Sequence, residues 1–224
     1  MNTLTTAPVA PLLEQLLIAS ESAWEQDSEL SRFWHQLDKN QRQEMMQGKT
    51  SYIELYSALR DMPLAVSRET GKLLYMLARS NRAQNVVEFG TSFGVSTIHL
   101  AAALRDNGGG RLITTEFESS KVAKATAHLQ QAGLADLVEI RTGDALQSLS
   151  HDVPAGIDLL LLDGAKGLYL DILRLLEDKL RPGTIILADD ADHSPEYLHY
   201  VRNPASGYMT VALAEDIEIT LRLG

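Results

Sequence analysis

Cysteine is absent from the 224 residues of this sequence, and basic residues are scarce. The lack of cysteine excludes disulfide bridges, thiolate zinc sites and a cysteine nucleophile. Lys and Arg total 20 against 30 Asp and Glu, which gives a formal net charge of −10, and the basic residues form no cluster longer than a residue or two. Because nucleic-acid binding needs clustered positive charge to neutralise phosphates, the sequence predicts no nucleic-acid partner.

Long apolar runs are also absent. No stretch approaches the roughly 18 apolar residues that are needed to cross a bilayer, and the beginning of the sequence, MNTLTTAPVAPLLEQLLIASES, lacks the positive segment of a secretory signal. We therefore expect no membrane association and a cytoplasmic location. The composition, 45% hydrophobic and 22% charged, is typical of a globular protein, and the length suits one main α/β domain with a substantial core.

Residues 9–80 are predicted to be helical, because apolar residues recur there at spacings of three and four. We divide the chain into an N-terminal helical appendage, residues 1–62, and a main domain, residues 63–224. The apolar content of the appendage exceeds what the main domain needs to cover itself. We therefore expect a homodimer in which residues 9–62 contribute to the interface or to the roof of a pocket.

The aromatic residues of the appendage have two interpretations. They are Trp24, Phe33 and Trp34. The first interpretation is that they pack on the core or on a partner protomer, which is the usual fate of large apolar rings. The second is that they form a wall of the substrate pocket.

From residue 85 onward, short apolar runs alternate with helical patterns. The runs are 86–89, 111–115, 138–142, 157–163 and 184–189, and the helical patterns lie at about 95–105, 118–132, 145–150 and 166–180. This alternation predicts a doubly wound, mostly parallel sheet that is covered by helices on both faces. The segment YMTVALAEDIEITLRL adds two strands, 208–213 and 217–223, as an antiparallel hairpin, which makes seven strands in all.

Acidic residues follow most of the predicted strands. They are Glu116, Asp144, Asp163 and the pair Asp189-Asp190, while the first run contains Glu88 and leads into a glycine turn. Ligands of open α/β sheets bind beyond the carboxyl ends of the strands. The sequence therefore predicts a binding site at this edge of the sheet.

The glycine turn VVEFGTSFGVST has a G-x-x-x-G spacing at Gly90 and Gly94. It matches neither the dinucleotide motif nor the phosphate-binding P-loop. The turn thus suits a nucleoside without phosphates, although it could serve packing alone. Glu116 is placed to accept hydrogen bonds from a ribose diol and Asp144 from an adenine amino group, with a solvated or helix-capping acid as the alternative for each.

The segment DGAK and the acidic pair predict a second kind of chemistry. Asp163, Asp189 and Asp190 together supply three hard oxygen ligands, which favour Mg²⁺, Mn²⁺ or Ca²⁺. Lys166 can face the same crevice; the alternative is that Asp163 caps a helix and Lys166 is a surface lysine. His193 is either an extra ligand or a polar loop residue. His99 is expected to be a structural histidine with its hydrogen bonds satisfied.

Taken together, these motifs resemble the cation-dependent class I S-adenosylmethionine O-methyltransferases, the catechol and caffeoyl-CoA O-methyltransferase family. The resemblance spans about residues 63–224 and rests on VVEFGTSFGVST, RLITTEFES, TGDAL, IDLLLLDGAKGLY and RPGTIILADD. The D-x-x-K motif followed by an acidic pair is its most specific part. The resemblance implies a class I, Rossmann-like fold, S-adenosylmethionine as cofactor, a divalent cation and a small hydroxylated, catechol-like acceptor.

The resemblance also implies a role for each matching residue. For the cofactor, it implies that Glu88, Gly90, Ser92 and Ser96 contact the methionine part, that Glu116 contacts the ribose and that Asp144 contacts the adenine. Asp163 is implied to contact both the cofactor and the metal, and Asp189 and Asp190 are implied to be metal ligands. Lys166 is implied to be the general base. Two features depart from the family pattern. Asp190 stands where Asn is usual, and ADHSPEYLHYV replaces a Trp-bearing loop, so the resemblance implies the class of the acceptor and not its identity.

The implied reaction is in-line transfer of the methyl group to a hydroxyl, with Lys166 taking the proton after nearby positive charge has lowered its pKa. Two alternatives remain. One is a metal-independent methyltransferase that acts on another acceptor. The other is a non-catalytic module that binds S-adenosylmethionine.

Overall fold

The computed structural model describes residues 2–23, 29–50, 52–213 and 216–224. Trp24 and the residues Ala214 and Glu215 of the predicted hairpin turn lie outside these ranges. Within these ranges the N-terminal part forms five helices: α1 (Val9–Ala23), α2 (Glu29–Gln36), α3 (Lys39–Gln47), α4 (Tyr52–Ala58) and α5 (Arg68–Ser80). The expected helical character is confirmed, with a non-helical connection between α4 and α5.

Seven strands form one sheet. They are β1 (Asn85–Phe89), β2 (Arg111–Glu116), β3 (Val138–Thr142), β4 (Ile157–Leu162), β5 (Leu180–Ala188), β6 (Tyr208–Ala212) and β7 (Glu218–Arg222). Their order is β3-β2-β1-β4-β5-β7-β6. Strands β1 to β5 run parallel to one another, whereas β7 runs antiparallel to both β5 and β6. The predicted fold class, including the terminal hairpin, is confirmed.

Helices cover both faces of this sheet. They are α6 (Val95–Asp106), α7 (Ser119–Ala132), α8 (Ala145–Ser148), α9 (Tyr169–Leu176) and α10 (Pro195–Val201). Successive side chains of a strand point to opposite faces. In the wholly buried strand β4, Leu159 and Leu161 therefore join the core under α1, α5, α6 and α7, while Leu160 and Leu162 join the core under α9 and α10.

Some boundaries differ from the prediction. Strand β5 begins at Leu180 rather than at 184, because its first residues extend the pairing with β4 across a register shift. Helix α9 begins only at Tyr169, after a 3₁₀ turn over Lys166–Leu168. Helix α10 was not predicted, although Pro195 in its first turn is a favourable helix start.

The N-terminal helices have two locations. The buried leucines of α1 belong to the same core cluster as α6, so α1 is part of the main hydrophobic core. Helices α2 to α4 instead lie over the carboxyl ends of the strands, where several of their side chains line a cavity. Within the described ranges, no helix is both long and apolar enough to cross a membrane. The division of the chain at residue 62 stays a prediction.

Candidate active site

A cavity of about 340 Å³ lies at the carboxyl ends of strands β1 to β5. Its sheet side is lined by Phe89, Gly90, Ser92, Thr115, Glu116, Phe117, Glu118, Lys121, Gly143, Asp144, Ala145, Asp163, Gly164, Ala165, Lys166, Leu168, Asp189, Asp190 and His193. The roof consists of Trp34, Met46, Tyr52, Tyr56, Leu59, Leu64 and Ala65. All the predicted site residues except Glu88 and Ser96 therefore line one cavity, and the expectation that residues 9–62 contribute to a pocket roof is confirmed.

The glycine turn is shaped by contact with the end of β4. Gly90 has a φ of 107°, and a Cβ added there would lie 2.4 Å from the carbonyl oxygen of Asp163. A side chain at this position would thus collide with the backbone as well as strain the chain. Ser92 also has a positive φ, 48°, and its backbone N–H donates to Glu116 Oε2 at 2.9 Å. The turn is therefore held against both β4 and the acid at the end of β2.

Glu116 is nearly buried in the cavity wall, and its carboxylate is oriented by the backbone. Its second oxygen accepts from the N–H of Glu118 at 3.0 Å. Burial raises the pKa of Glu116, although these N–H groups and the charge of Lys121 act in the opposite direction. A carboxylate with remaining lone pairs, fixed beside the glycine turn, is suited to accept hydrogen bonds from a diol.

Asp144 has the helix-capping role that the sequence offered as an alternative, and it also lines the cavity. Its side chain caps α8 by accepting from the N–H of Leu146 at 2.9 Å. The same residue is exposed and lines the cavity beyond β3. Capping therefore fixes the carboxylate at the edge of the cavity, and the predicted adenine contact stays a prediction.

Glu88 and Ser96 are buried behind the glycine turn and do not line the cavity. Thr97 Oγ1 donates to Glu88 Oε2 at 2.6 Å, whereas Glu88 Oε1 has no hydrogen-bond partner among the residues that the structure describes. Burial raises the pKa of Glu88 to about 7, against the lowering effect of neighbouring hydroxyl groups. Glu88 thus titrates near neutral pH, and its predicted contact with the methionine part of the cofactor is an open prediction.

Lys166 occupies the centre of the acidic cluster at the ends of β4 and β5. Its ammonium lies 3.1 Å from Asp163 Oδ1 and 3.2 Å from Asp190 Oδ2, and it donates to the Tyr169 hydroxyl at 2.8 Å. Only 3% of Lys166 is exposed, so the surface-lysine alternative is wrong. In this structure the ammonium of Lys166 is the cation that offsets the repulsion between the carboxylates.

The pKa of Lys166 differs from what a general base needs. Burial alone would lower this pKa, but the neighbouring Tyr169 and the carboxylates of Asp163 and Asp190 raise it well above the ordinary value. The sequence-based mechanism expected it to be lowered. The reason for the difference is that the closest charges are negative.

Asp189 is the least satisfied acid of the cluster. Within the described part of the chain its carboxylate accepts no hydrogen bond, and burial, together with Asp163 and Asp190, raises its pKa to about 8. Oxygen donors of this kind suit a hard divalent cation. Among the described residues, however, no three acids or histidines are grouped so that they could hold a metal ion. The donor chemistry therefore fits the expected cation, while the metal site itself is not confirmed.

The roof contacts both ends of the cavity. Ser57 Oγ donates to Glu118 Oε1 at 2.8 Å, and the rings of Tyr52 and Phe117 meet edge to face with centroids 6.2 Å apart. Tyr56 reaches the other end, where its hydroxyl donates to the carbonyl of Gly164 at 3.4 Å. These contacts were missed from the sequence. The spacing of the two tyrosines places them on one helix face, but it does not indicate which surface they meet.

The histidines behave differently from one another. His99 is buried with Nδ1 2.8 Å from the carbonyl oxygen of Val95, and burial lowers its pKa, so the expectation of a structural histidine is confirmed. His193 lines the cavity with 39% of its side chain exposed, next to the acidic pair. Its role as a ligand or acid-base group stays a prediction.

Comparison with known proteins gives consistent matches. A family model described as a methyltransferase domain matches residues 87–191. The catechol O-methyltransferase of Niastella koreensis is 39% identical over 130 residues, which are 57% of this chain and 58% of that protein. Catechol O-methyltransferase B of Danio rerio is 32% identical over 182 residues, which are 78% of this chain and 68% of that protein.

A solved structure extends the match to most of the chain. The O-methyltransferase TomG of Streptomyces achromogenes, in complex with SAM, has a TM-score of 0.63 and 25% identity, over 87% of this chain and 96% of its own. The chain spans less than two thirds of the first curated relatives that it matches, 58% in the Niastella koreensis protein. Since the fold, the motifs and the identity over more than two thirds of the Danio rerio relative agree, this chain belongs to the S-adenosylmethionine-dependent O-methyltransferase family that includes the catechol and caffeoyl-CoA O-methyltransferases.

Proposed function

We propose that this chain transfers a methyl group from S-adenosylmethionine to a hydroxyl of a small acceptor. The acceptor group that we favour is one of two adjacent phenolic hydroxyls. The observation that supports this most is one cavity with a backbone-oriented carboxylate, Glu116, at one end and the Lys166 cluster at the other. The names of the relatives in Niastella koreensis and Danio rerio point to the same activity.

The cofactor would lie over β3, β2 and β1. In this assignment Glu116 accepts from the ribose hydroxyls and Asp144 stands at the adenine edge. The turn at Gly90 and Ser92 gives the backbone close access to the methionine part, with Glu88 and Ser96 behind it. The sulfonium would then point towards the ends of β4 and β5, because Gly90 touches the end of β4.

The acceptor would lie over β4 and β5, beside Lys166. We assign a divalent cation, Mg²⁺ first and Mn²⁺ or Ca²⁺ as alternatives, to the oxygens of Asp163, Asp189 and Asp190; when bound, it would act as a Lewis acid that lowers the pKa of the acceptor hydroxyl. Lys166 Nζ takes the hydroxyl proton. To take a proton, Lys166 needs a lower pKa than it has beside the free carboxylates. Asp163 and Asp190, which raise the pKa of Lys166, are among the carboxylates assigned to the cation, so a bound cation would offset their effect.

The assay that tests this function follows S-adenosylhomocysteine by mass spectrometry, with S-adenosylmethionine, a catechol and either Mg²⁺ or excess EDTA. We expect turnover with Mg²⁺, loss of turnover with EDTA, and loss in Lys166→Met. Lys124→Met is the matched control, because Lys124 is a half-exposed lysine of α7 that does not line the cavity. Full turnover in EDTA would favour the metal-independent alternative. Cofactor binding without turnover of any catechol would favour the non-catalytic module.

A homodimer and a cytoplasmic location remain part of the proposal, as does the absence of nucleic-acid partners. Light scattering at micromolar protein concentration tests the dimer, and a monomeric mass would contradict it. The formal net charge of −10 supports the absence of nucleic-acid partners, because phosphate binding needs positive charge.

A further inference from the structure

The cavity has a charged floor and an apolar roof. The charged side chains of its floor, among them Glu116, Asp163 and Lys166, lie at the ends of strands or after them. The roof side chains from α2 to α4 and the connection after them are Trp34, Met46, Tyr52, Tyr56, Leu59 and Leu64. Among the described residues of this N-terminal segment, none that lines the cavity is charged. A bound molecule thus meets opposite environments on its two sides.

Helix α3 covers the reacting end of the cavity. Its start is fixed by Asp38, which exchanges side-chain and backbone hydrogen bonds with Gln41. Its end contacts the turn that contains Lys166: a Cβ added to Gly167 would lie 2.5 Å from the carbonyl oxygen of Gln47. The helix also contacts the turn after the acidic pair, residues 191–193. Met46, near the end of α3, therefore lines the cavity over the half that holds Lys166.

The apolar character of this half continues below the roof. Leu168 and Ala165, on either side of Lys166, line the cavity and belong to the core cluster under α9. Around Met46, the roof is backed by a small hydrophobic cluster that contains Leu59 and Met45. The space next to the reacting group is therefore enclosed by hydrocarbon on the roof side as well as beside the lysine.

We propose that the acceptor is a hydroxylated aromatic whose substituent, beyond the reacting hydroxyls, is uncharged and apolar and lies under Met46. This inference rests on the proposed methyl transfer and adds the acceptor class. A charged substituent under α3 would lose its hydration without gaining a partner, which is costly. An alkyl substituent would gain by leaving water. The roof thus selects among acceptors with the same reacting ring.

A different position of the acceptor substituent, beside His193 instead of under Met46, is the alternative to this inference. His193 lines the cavity beside the turn that α3 contacts, and an anionic substituent that turned towards it could accept a hydrogen bond from an imidazole N–H. That arrangement predicts a preference for an anionic acceptor. The two possibilities therefore give opposite rankings of substrates.

The test uses three catechols that share the reacting ring and have side chains of similar length: 4-propylcatechol, dopamine and 3-(3,4-dihydroxyphenyl)propanoate. We expect kcat/KM for 4-propylcatechol to exceed the values for the two charged acceptors by about tenfold or more, the size of discrimination that apolar pockets achieve. S-Adenosylmethionine affinity is measured in parallel by calorimetry, so that cofactor binding and acceptor choice are separated.

Met46→Lys then changes the charge of the roof. We expect this variant to shift the ratio of kcat/KM for the propanoate over 4-propylcatechol by about tenfold towards the anion. Met45→Lys is the matched control, because Met45 lies in the same helix and the same apolar cluster but does not line the cavity. Its substrate ranking should stay that of the wild type, and thermal unfolding verifies that both variants fold.

The outcomes separate the inference from the proposed function. Equal kcat/KM for all three acceptors, or an unchanged ratio of kcat/KM for the propanoate over 4-propylcatechol in folded Met46→Lys, overturns the inference and leaves methyl transfer standing. A wild-type preference for the propanoate that disappears in His193→Ala also overturns it, in favour of the hydrogen bond with His193. Bound cofactor with no methylation of any acceptor rejects the proposed function and this inference with it.

Discussion

The Lys166 ammonium donates to the hydroxyl of Tyr169 at 2.8 Å. That hydroxyl in turn donates to the backbone carbonyl of Asp189 at 2.7 Å. Tyr169 is fully buried, and its ring meets Phe89 and Tyr197 edge to face with centroids 6.3 and 6.0 Å away. Because the ring cannot turn without disturbing this packing, Tyr169 fixes the position of Lys166 relative to the acidic pair.

Tyr169→Phe should therefore displace the lysine without altering the cofactor end of the cavity. We expect a loss of about 1.5–3 kcal/mol in unfolding free energy, as for other hydrogen bonds to charged groups, and a fall in kcat with unchanged affinity for S-adenosylmethionine. Denaturant unfolding, steady-state kinetics and calorimetry provide the three measurements.

Tyr197→Phe is the matched control for this prediction. Tyr197 is also fully buried, but its hydroxyl contacts Thr220 at 3.3 Å and not the lysine. The control should retain its kcat even if it loses some stability. Equal losses of kcat in the two variants would mean that Tyr169 only supports the fold.

The fold was predictable because its sequence patterns are local and repeated. The run IDLLLL has the length and composition of a strand buried on both faces, and β4 is such a strand. The segment Pro195–Val201 was harder, because its short helix lacks a long apolar pattern. The start of β5 depended on pairing with β4 across a register shift, which one strand's sequence does not reveal.

The site was predictable to the extent that it follows the strand ends. Glu116 ends strand β2, Asp163 and Asp189 directly follow β4 and β5, and parallel strands bring such residues to one edge. The charge environment of Lys166 was not predictable, because it depends on distances of about 3 Å to Asp163 in its own segment and to Asp190 after the next strand. Nor was the location of α4, since an amphipathic face does not identify its partner.

Glu116 is expected to determine cofactor affinity. Glu116→Ala should weaken binding of S-adenosylmethionine by about 1.5–3 kcal/mol, because hydrogen bonds to a charged acceptor are lost. Part of this loss would come from the glycine turn, since Glu116 also accepts from the N–H of Ser92. Glu116→Gln, which keeps one carbonyl acceptor for the turn, should lose less.

Calorimetry measures this affinity, with Glu139→Ala as the control. Glu139 is an acid of the neighbouring strand β3 that pairs with Arg111 and does not line the cavity. Its replacement should leave the affinity unchanged. If Glu116→Ala binds as tightly as the control, Glu116 has no role in holding the ribose.

The acidic pair should respond to added Mg²⁺ through stability. A cation bound by the folded chain alone raises the melting temperature by linkage, and Asp163→Ala or Asp189→Ala should abolish the rise. Asp190→Asn should retain it, because an amide oxygen is still a hard ligand. Asp190 also has a φ of 50°, a conformation that Asn adopts readily, so this variant should fold normally.

Differential scanning calorimetry with Mg²⁺ and with EDTA tests this expectation, and Asp192→Asn serves as the control. Asp192 is an exposed acid in the same turn that does not line the cavity. It should keep the full rise in melting temperature. A wild type whose melting temperature is the same in Mg²⁺ and EDTA would contradict the cation assignment.

Glu88 should make the stability of the cofactor-free protein depend on pH. Burial raises its folded-state pKa to about 7 from an ordinary value of 4.5. Between these two pH values the folded chain binds more protons at Glu88 than the unfolded chain does, so the unfolding free energy decreases as pH rises. At about 1.4 kcal/mol per pKa unit, the decrease attributable to Glu88 is at most about 3.5 kcal/mol, and it is complete at about pH 8, one unit above the folded-state pKa. Denaturant unfolding between pH 5 and 8 measures this decrease in unfolding free energy. Glu88→Gln should flatten the dependence of unfolding free energy on pH by that amount, because an amide does not titrate. Glu69→Gln is an exposed control in the first turn of α5 and should leave the slope intact. A Glu88→Gln profile parallel to that of the wild type would show that the buried carboxyl group does not change its protonation in this range.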